Sequence, residues 1–189
     1  MFKRKILSKL EAWKRDERHK PLILRGARQV GKTTVVNEFG SQFDNYLYFN
    51  LEMNESVRLF EMDIPLNDLV NMLFASSGKS QREGSTLIFI DEIQNSPKTI
   101  ALLRYFYEQR PDLYVIAAGS LLENLVDVNV SFPVGRVMYM ALRPCSFYEF
   151  LGAIGKTNLL AVLSQKPEYT VAFHEQLIHQ FNQYTIIGG

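Results

Sequence analysis

Three observations predict an α/β fold built on a parallel sheet with helices on both faces. Short apolar runs alternate with segments of helical period along most of the chain. The first run, Leu22-Ile23-Leu24, leads into a glycine-rich turn, and a later one, Leu87-Ile88-Phe89-Ile90, stops at two acids, Asp91 and Glu92. Runs that are apolar throughout, instead of alternating, belong to strands buried on both faces.

In chain order, a basic amphipathic helix is expected over 3–18 within an N-terminal segment 1–20, because Phe2, Ile6, Leu10 and Trp13 recur at helical spacing. That segment holds eight Lys/Arg against three Asp/Glu, and the remainder holds 13 against 17. The helix is read as a docking helix with a solvated basic face, the alternative being a patch for nucleic acid or anionic lipid. A core over 21–145 follows, with strands at 22–24, 46–51, 86–90, 113–118 and 137–142. Its helices are placed from Lys32 to near Gly40, at 56–61, at 66–76 after Pro65, and at 97–109, where Ser96 caps, Pro97 begins and Pro111 stops the helix. Residues 76–85 form a polar surface loop. Ser146-Phe147-Tyr148-Glu149 has the spacing of a capping box just after Pro144, so 146–189 reads as a small helical extension ending in a helix through 174–184.

The turn after the first strand, Gly26-Ala27-Arg28-Gln29-Val30-Gly31-Lys32-Thr33, reads G-x-x-x-x-G-K-T, a phosphate-binding P-loop. Glycines let the backbone wrap close to phosphates, and consecutive N–H groups then meet the anion at a helix start where the dipole is positive. Lys32 would reach the β- and γ-phosphates and the Thr33 hydroxyl would ligate Mg²⁺, while Thr34 continues the helix. Two other triplets act as internal controls. Gly78-Lys79-Ser80 and Gly155-Lys156-Thr157 have Leu73 and Phe150 where the first glycine belongs, and neither follows a clear strand.

The acids after the third strand supply the second half of the site. A buried parallel strand carries its last residues to the carboxyl edge of the sheet, where open α/β folds bind ligands. Asp91 would hold Mg²⁺ through water, and Glu92 would polarise the water that attacks the γ-phosphate; termination of a strand by polar residues is the alternative. Ser120 follows the fourth strand, where it would hydrogen-bond the γ-phosphate or the lytic water, or serve as an ordinary turn serine. Arg136, after Pro133 and Gly135, would neutralise transition-state charge in its own subunit or a neighbour; otherwise it is a surface arginine.

At 189 residues and 47% hydrophobic the chain can bury one sizeable core, and its net charge is +1. One cysteine, Cys145, excludes an internal disulfide and is read as a small buried residue. No early apolar run is long enough for a signal peptide or membrane span, so a cytoplasmic protein without a membrane partner is expected, in which Asn54-Glu55-Ser56 and Asn129-Val130-Ser131 are not glycosylated. His174 and His179 are five apart and face different sides of a helix, which argues against zinc.

With Gly-Ala-Arg-Gln-Val-Gly-Lys-Thr, Phe-Ile-Asp-Glu-Ile-Gln, Ala-Gly-Ser and Val-Gly-Arg together, the chain resembles a family of prokaryotic AAA-type ATP-binding proteins, from about residue 3 onward. The resemblance implies an additional-strand, catalytic-Glu P-loop fold with sheet order 5-1-4-3-2, ATP and Mg²⁺ as ligands, and a helical lid region after the fifth strand. It also implies a C-terminal domain following Tyr184-Thr185-Ile186-Ile187-Gly188-Gly189, so the chain is expected to be a fragment whose effector domain is absent. The leading functional expectation is an ATP-hydrolysing switch or motor module, with ATP, that missing domain and further copies of the chain as partners. The alternative is a nucleic-acid-processing ATPase that binds DNA through the basic helix, against which the net charge of +1 argues. A small-molecule phosphotransferase is disfavoured by Asp91-Glu92, since such kinases must exclude water.

Overall fold

The computed structural model describes residues 4–80, 83–120, 135–163 and 171–187; Phe2, Asn129, Val130, Ser131, Pro133, Val134, Gly188 and Gly189, which figure in the sequence reading, lie outside them. The strands are β1 (Leu22–Arg25), β2 (Asn45–Asn50), β3 (Thr86–Asp91), β4 (Leu113–Gly119) and β5 (Met138–Ala141). All neighbours pair in parallel, in the order β2-β3-β4-β1-β5. This is the order implied by the resemblance, read from the other edge. The helices are α1 (Ile6–Arg15), α2 (Lys32–Gly40), α3 (Asn54–Phe60), α4 (Leu66–Ser76), α5 (Pro97–Gln109), α6 (Phe147–Ala153), α7 (Thr157–Leu163) and α8 (His174–Ile187). None of the described helices is long and apolar enough to cross a membrane.

Local chemistry explains the limits. α4 and α5 occupy the spans that their flanking prolines and caps predict, and Ser96 Oγ accepts the Thr99 N–H at 3.3 Å with Pro97 in the first turn. α1 is shorter than expected at its C-terminal end because Asp16 captures the following backbone: its Oδ1 accepts from Arg18 N and its carbonyl from His19 N. All six residues of β3 are buried, as befits a strand inside the sheet, whereas the edge strand β2 alternates buried and half-exposed positions.

The sheet is covered on both faces. Ile23, Phe49, Ile88 and Val115 meet Phe60 of α3, Leu73 of α4 and Phe106 of α5 in one apolar cluster, each such side chain contributing about 1.5–3 kcal/mol by burial. On the other face Tyr114 of β4 stacks on His19 and meets Trp13 of α1 and Phe43 edge-on, while Phe39 of α2 packs on Trp13 and Phe43. Leu10 and Trp13 are fully buried there, so the basic helix is docked by its apolar stripe.

The described residues divide into two compact units, Leu10–Leu142, which carries the sheet, and Met1–Lys9 with Arg143–Gly189. The second is built on Phe150, Leu151, Leu159 and Leu177 of α6, α7 and α8. Cys145 is half-buried there, a correction to its reading as buried: its backbone carbonyl accepts the Tyr184 hydroxyl at 2.6 Å, which holds this stretch beside α8 with one side of the residue uncovered. Burial pushes its thiol pKa up, which leaves it a poor nucleophile. The capping box is complete: Glu149 N donates to Ser146 Oγ at 3.3 Å and Ser146 N donates to Glu149 Oε2 at 2.8 Å. Glu149 Oε1 also accepts Lys5 N at 2.8 Å and Arg4 Nε at 3.2 Å.

Burial alone would raise the Glu149 pKa, but the Ser146 and Lys5 N–H groups, the Ser146 hydroxyl and the Arg4 charge outweigh it and hold the carboxyl below its ordinary 4.5. A depressed pKa contributes stability above the unfolded value that is lost as pH falls through the folded one. Glu149→Ala should therefore destabilise this unit by about 0.5–2 kcal/mol in urea titrations at pH 7, with the gap to wild type closing below pH 4.5.

Candidate functional site

Strands β1 and β3 deliver two loops to the same carboxyl edge. Between Arg25 and Lys32 the chain turns through two left-handed residues, Gln29 at φ 64° and Gly31 at φ 88°, the second being the N-cap of α2 with no side-chain cap bond. Left-handed residues set among right-handed ones gather successive N–H groups into an anion-binding concavity. Gly31 adopts this conformation freely and Gln29 does so under strain. Gly26 has a packing reason of its own. A Cβ there would lie 2.4 Å from the Leu142 carbonyl, where Leu142 N donates to Arg25 O at 2.7 Å and closes β5 on β1.

The side chains of this loop divide sharply. Ala27, Arg28 and Gln29 are exposed, Val30 is half-buried, and Thr34 faces out from α2. Lys32 is only 6% exposed, and its Nζ donates to the Gly26 and Ala27 carbonyls, both at 2.9 Å. Thr33 Oγ1 donates to Asp91 Oδ2 at 2.6 Å.

Asp91 ends β3 rather than following it, and Asn50 of β2 lies beside it in register. Burial raises its pKa, opposed by the bonds from Thr33 and Glu92 N and by the Lys32 charge. A hydroxyl and a buried carboxylate at this separation make a donor pair suited to a hard divalent cation. Glu92 then takes φ 54°, a left-handed conformation unusual for a glutamate, which swings the chain out of the sheet into a 3-10 turn, Ile93–Asn95. Its Oε2 accepts from Gln94 Nε2.

Ser120 follows Gly119, which pairs with Arg25, so it stands at this same edge with its Oγ buried and no hydrogen-bond partner among the described residues. Arg25 Nε and Gln94 Oε1 share that condition. Arg25 lies over the Tyr139 ring at 4.2 Å. The sequence reading gave neither residue a role. The available signals were a cation at the end of an apolar strand and an amide two residues past the acid pair.

Arg136 requires a correction for its own subunit. It precedes β5, whose first residue, Met138, pairs with Leu22 at the amino end of β1. In a parallel pair this is the edge opposite the loop, roughly 13 Å away over four residues. There Arg136 Nε donates to Glu108 Oε1 at 2.6 Å, and Lys20 Nζ donates to the adjacent Gly135 carbonyl at 2.7 Å.

A profile of the AAA domain family matches residues 18–151. Among solved structures, one described as Drosophila ORC bound to DNA superposes with a TM-score of 0.50 at 16% identity, covering 79% of this chain and 44% of that one. The likeness is one of fold, and this chain spans less than half of that protein's length. No curated protein matches the sequence.

The Gly26 contact yields a test that needs no ligand. Gly26→Ala should cost about 1–3 kcal/mol in a urea titration, since a backbone carbonyl must give way and the β1–β5 pairing with it.

Proposed function

Because the chain belongs to the AAA-domain family, we propose that this edge binds ATP with Mg²⁺ and hydrolyses its terminal phosphate. The observation that carries the reading is the convergence of the Lys32 ammonium, the Thr33 hydroxyl and the buried Asp91 carboxylate at one sheet edge, with Glu92 turned out of the strand beside them.

In this reading the N–H groups of 26–34 cradle the phosphates, and Lys32 exchanges the Gly26 and Ala27 carbonyls for the β- and γ-phosphate oxygens. Thr33 and Asp91 hold Mg²⁺, which supplies positive charge against the phosphates. Glu92 orients a water and accepts its proton as the new oxygen–phosphorus bond forms and the bond from the γ-phosphorus to the bridging oxygen breaks, leaving ADP and phosphate. The Ser120 hydroxyl donates to the γ-phosphate or to that water.

Coupling of hydrolysis to an effector domain belongs to the same proposal, with the α6–α8 unit as the transmitting segment. Its support is the exposure of three large apolar side chains of α8, Ile178, Ile186 and Ile187. The DNA-binding alternative draws on the basic N-terminal helix, but much of that charge is engaged within the chain. Arg4 is paired with Glu149, Lys5 lies over Tyr148, Lys14 lies over Phe43, and Lys20 is bonded to Gly135.

Lys32→Ala should abolish binding of a fluorescent ATP analogue while the circular dichroism spectrum stays unchanged; retained affinity would overturn the site. Glu92→Gln should keep that affinity and lower phosphate release about 10²–10⁴-fold. Turnover at the wild-type rate would reduce Glu92 to a polar strand end.

A further inference from the structure

Gln94 sits in the 3-10 turn Ile93–Asn95, which packs against β4. The turn is anchored at both ends. Ile93 is fully buried in the cluster under α5, and Asn95 donates its N–H to Glu92 O at 3.0 Å and its Nδ2 to Leu51 O at 3.3 Å. The backbone of Gln94 is thereby fixed, and its carboxamide is fixed in turn by Glu92. The amide donates from Nε2 to Glu92 Oε2 and so carries Oε1 away from that carboxylate. That Oε1 is buried without a partner among the described residues, as is Ser120 Oγ at the end of the neighbouring strand. One group accepts and the other can donate, the complement of a small polar molecule with a hydrogen to give and a lone pair to offer.

We propose that Gln94 fixes the attacking water for Glu92, an inference that rests on the ATP-hydrolysis reading above. Gln94 Nε2 occupies Glu92 Oε2 and leaves Glu92 Oε1 to take one hydrogen of the water. Gln94 Oε1 takes the other, and the Ser120 hydroxyl donates to one lone pair. The remaining lone pair forms the bond to the γ-phosphorus as the bridging oxygen departs with ADP, and the water's proton passes to Glu92. The left-handed backbone at Glu92 leads the chain into the 3-10 turn, from which the Gln94 amide reaches back to Glu92.

Gln94→Met keeps the length of the side chain and removes both amide groups. In the full chain it should lower kcat for phosphate release about 10- to 100-fold while the dissociation constant of a fluorescent ATP analogue stays within about twofold. In the Glu92→Gln background the same change should add less than about twofold, because the two residues act as one unit. Independent of turnover, the Gln94 side-chain amide pair in a ¹⁵N–¹H spectrum, assigned by its loss in Gln94→Met, should move when Glu92 is replaced by Gln. Unchanged kcat in Gln94→Met, a full separate loss in the Glu92→Gln background, or an amide pair that ignores Glu92 would each overturn the inference. A wild-type chain that binds the analogue but releases no phosphate would overturn the hydrolysis reading itself. The amide spectrum would then report separately whether Gln94 holds Glu92.

Discussion

The hydrogen bond from Thr33 to Asp91 is the constraint around which this molecule is arranged. It joins the first turn of α2 to the last residue of β3, two elements whose strands, β1 and β3, are separated in the sheet by β4. For the loop after β1 to reach β3, the end of β4 beneath it must be low. That strand finishes Ala117-Ala118-Gly119, the smallest residues available, and only then offers a hydroxyl, Ser120. The span across β4 thus depends on side-chain volume as much as on the donor and acceptor that close it.

Polar groups placed at this edge run against stability. Asp91 is ionisable and buried, Gln29 and Glu92 hold left-handed backbone without being glycine, and three side-chain atoms lack partners within the described chain. Each is a cost that a purely structural edge would shed. The apolar cluster under α3, α4 and α5 offsets them, and it is continuous with the site through Ile90 and Ile93, which flank the acid pair and are fully buried. The same burial that stabilises the sheet therefore holds Asp91 and Glu92 in place.

Much of this was legible in the sequence because periodicity and punctuation act locally. Pro65, Ser96, Pro97 and Pro111 set α4 and α5, and the capping box at Ser146 set the start of α6. The P-loop and the acid pair were legible because their spacing is chemical. The 3-10 turn was not, since three residues carry no period and its cause is the left-handed Glu92, which no side-chain pattern announces. For Arg136, whose sequence reading left its own subunit and a neighbour open, strand direction disfavours the first: a residue preceding a parallel strand lies away from the loops that follow one. Gln94 and Arg25 depend on which atoms are left unsatisfied once the fold has closed, and that is a property of three-dimensional packing alone.

The carboxylate of Glu149 closes on the backbone N–H of Lys5 and on Arg4, a partner 145 positions earlier. On a ribosome adding about 5–20 residues per second, roughly 7–30 seconds separate the synthesis of Arg4 and Lys5 from that of Glu149. Within that interval the sheet-bearing unit is made, while Arg4 and Lys5 wait for the carboxylate that holds them. The helical unit therefore closes only when two segments far apart in the sequence are both present, with the sheet-bearing unit lying between them in the chain.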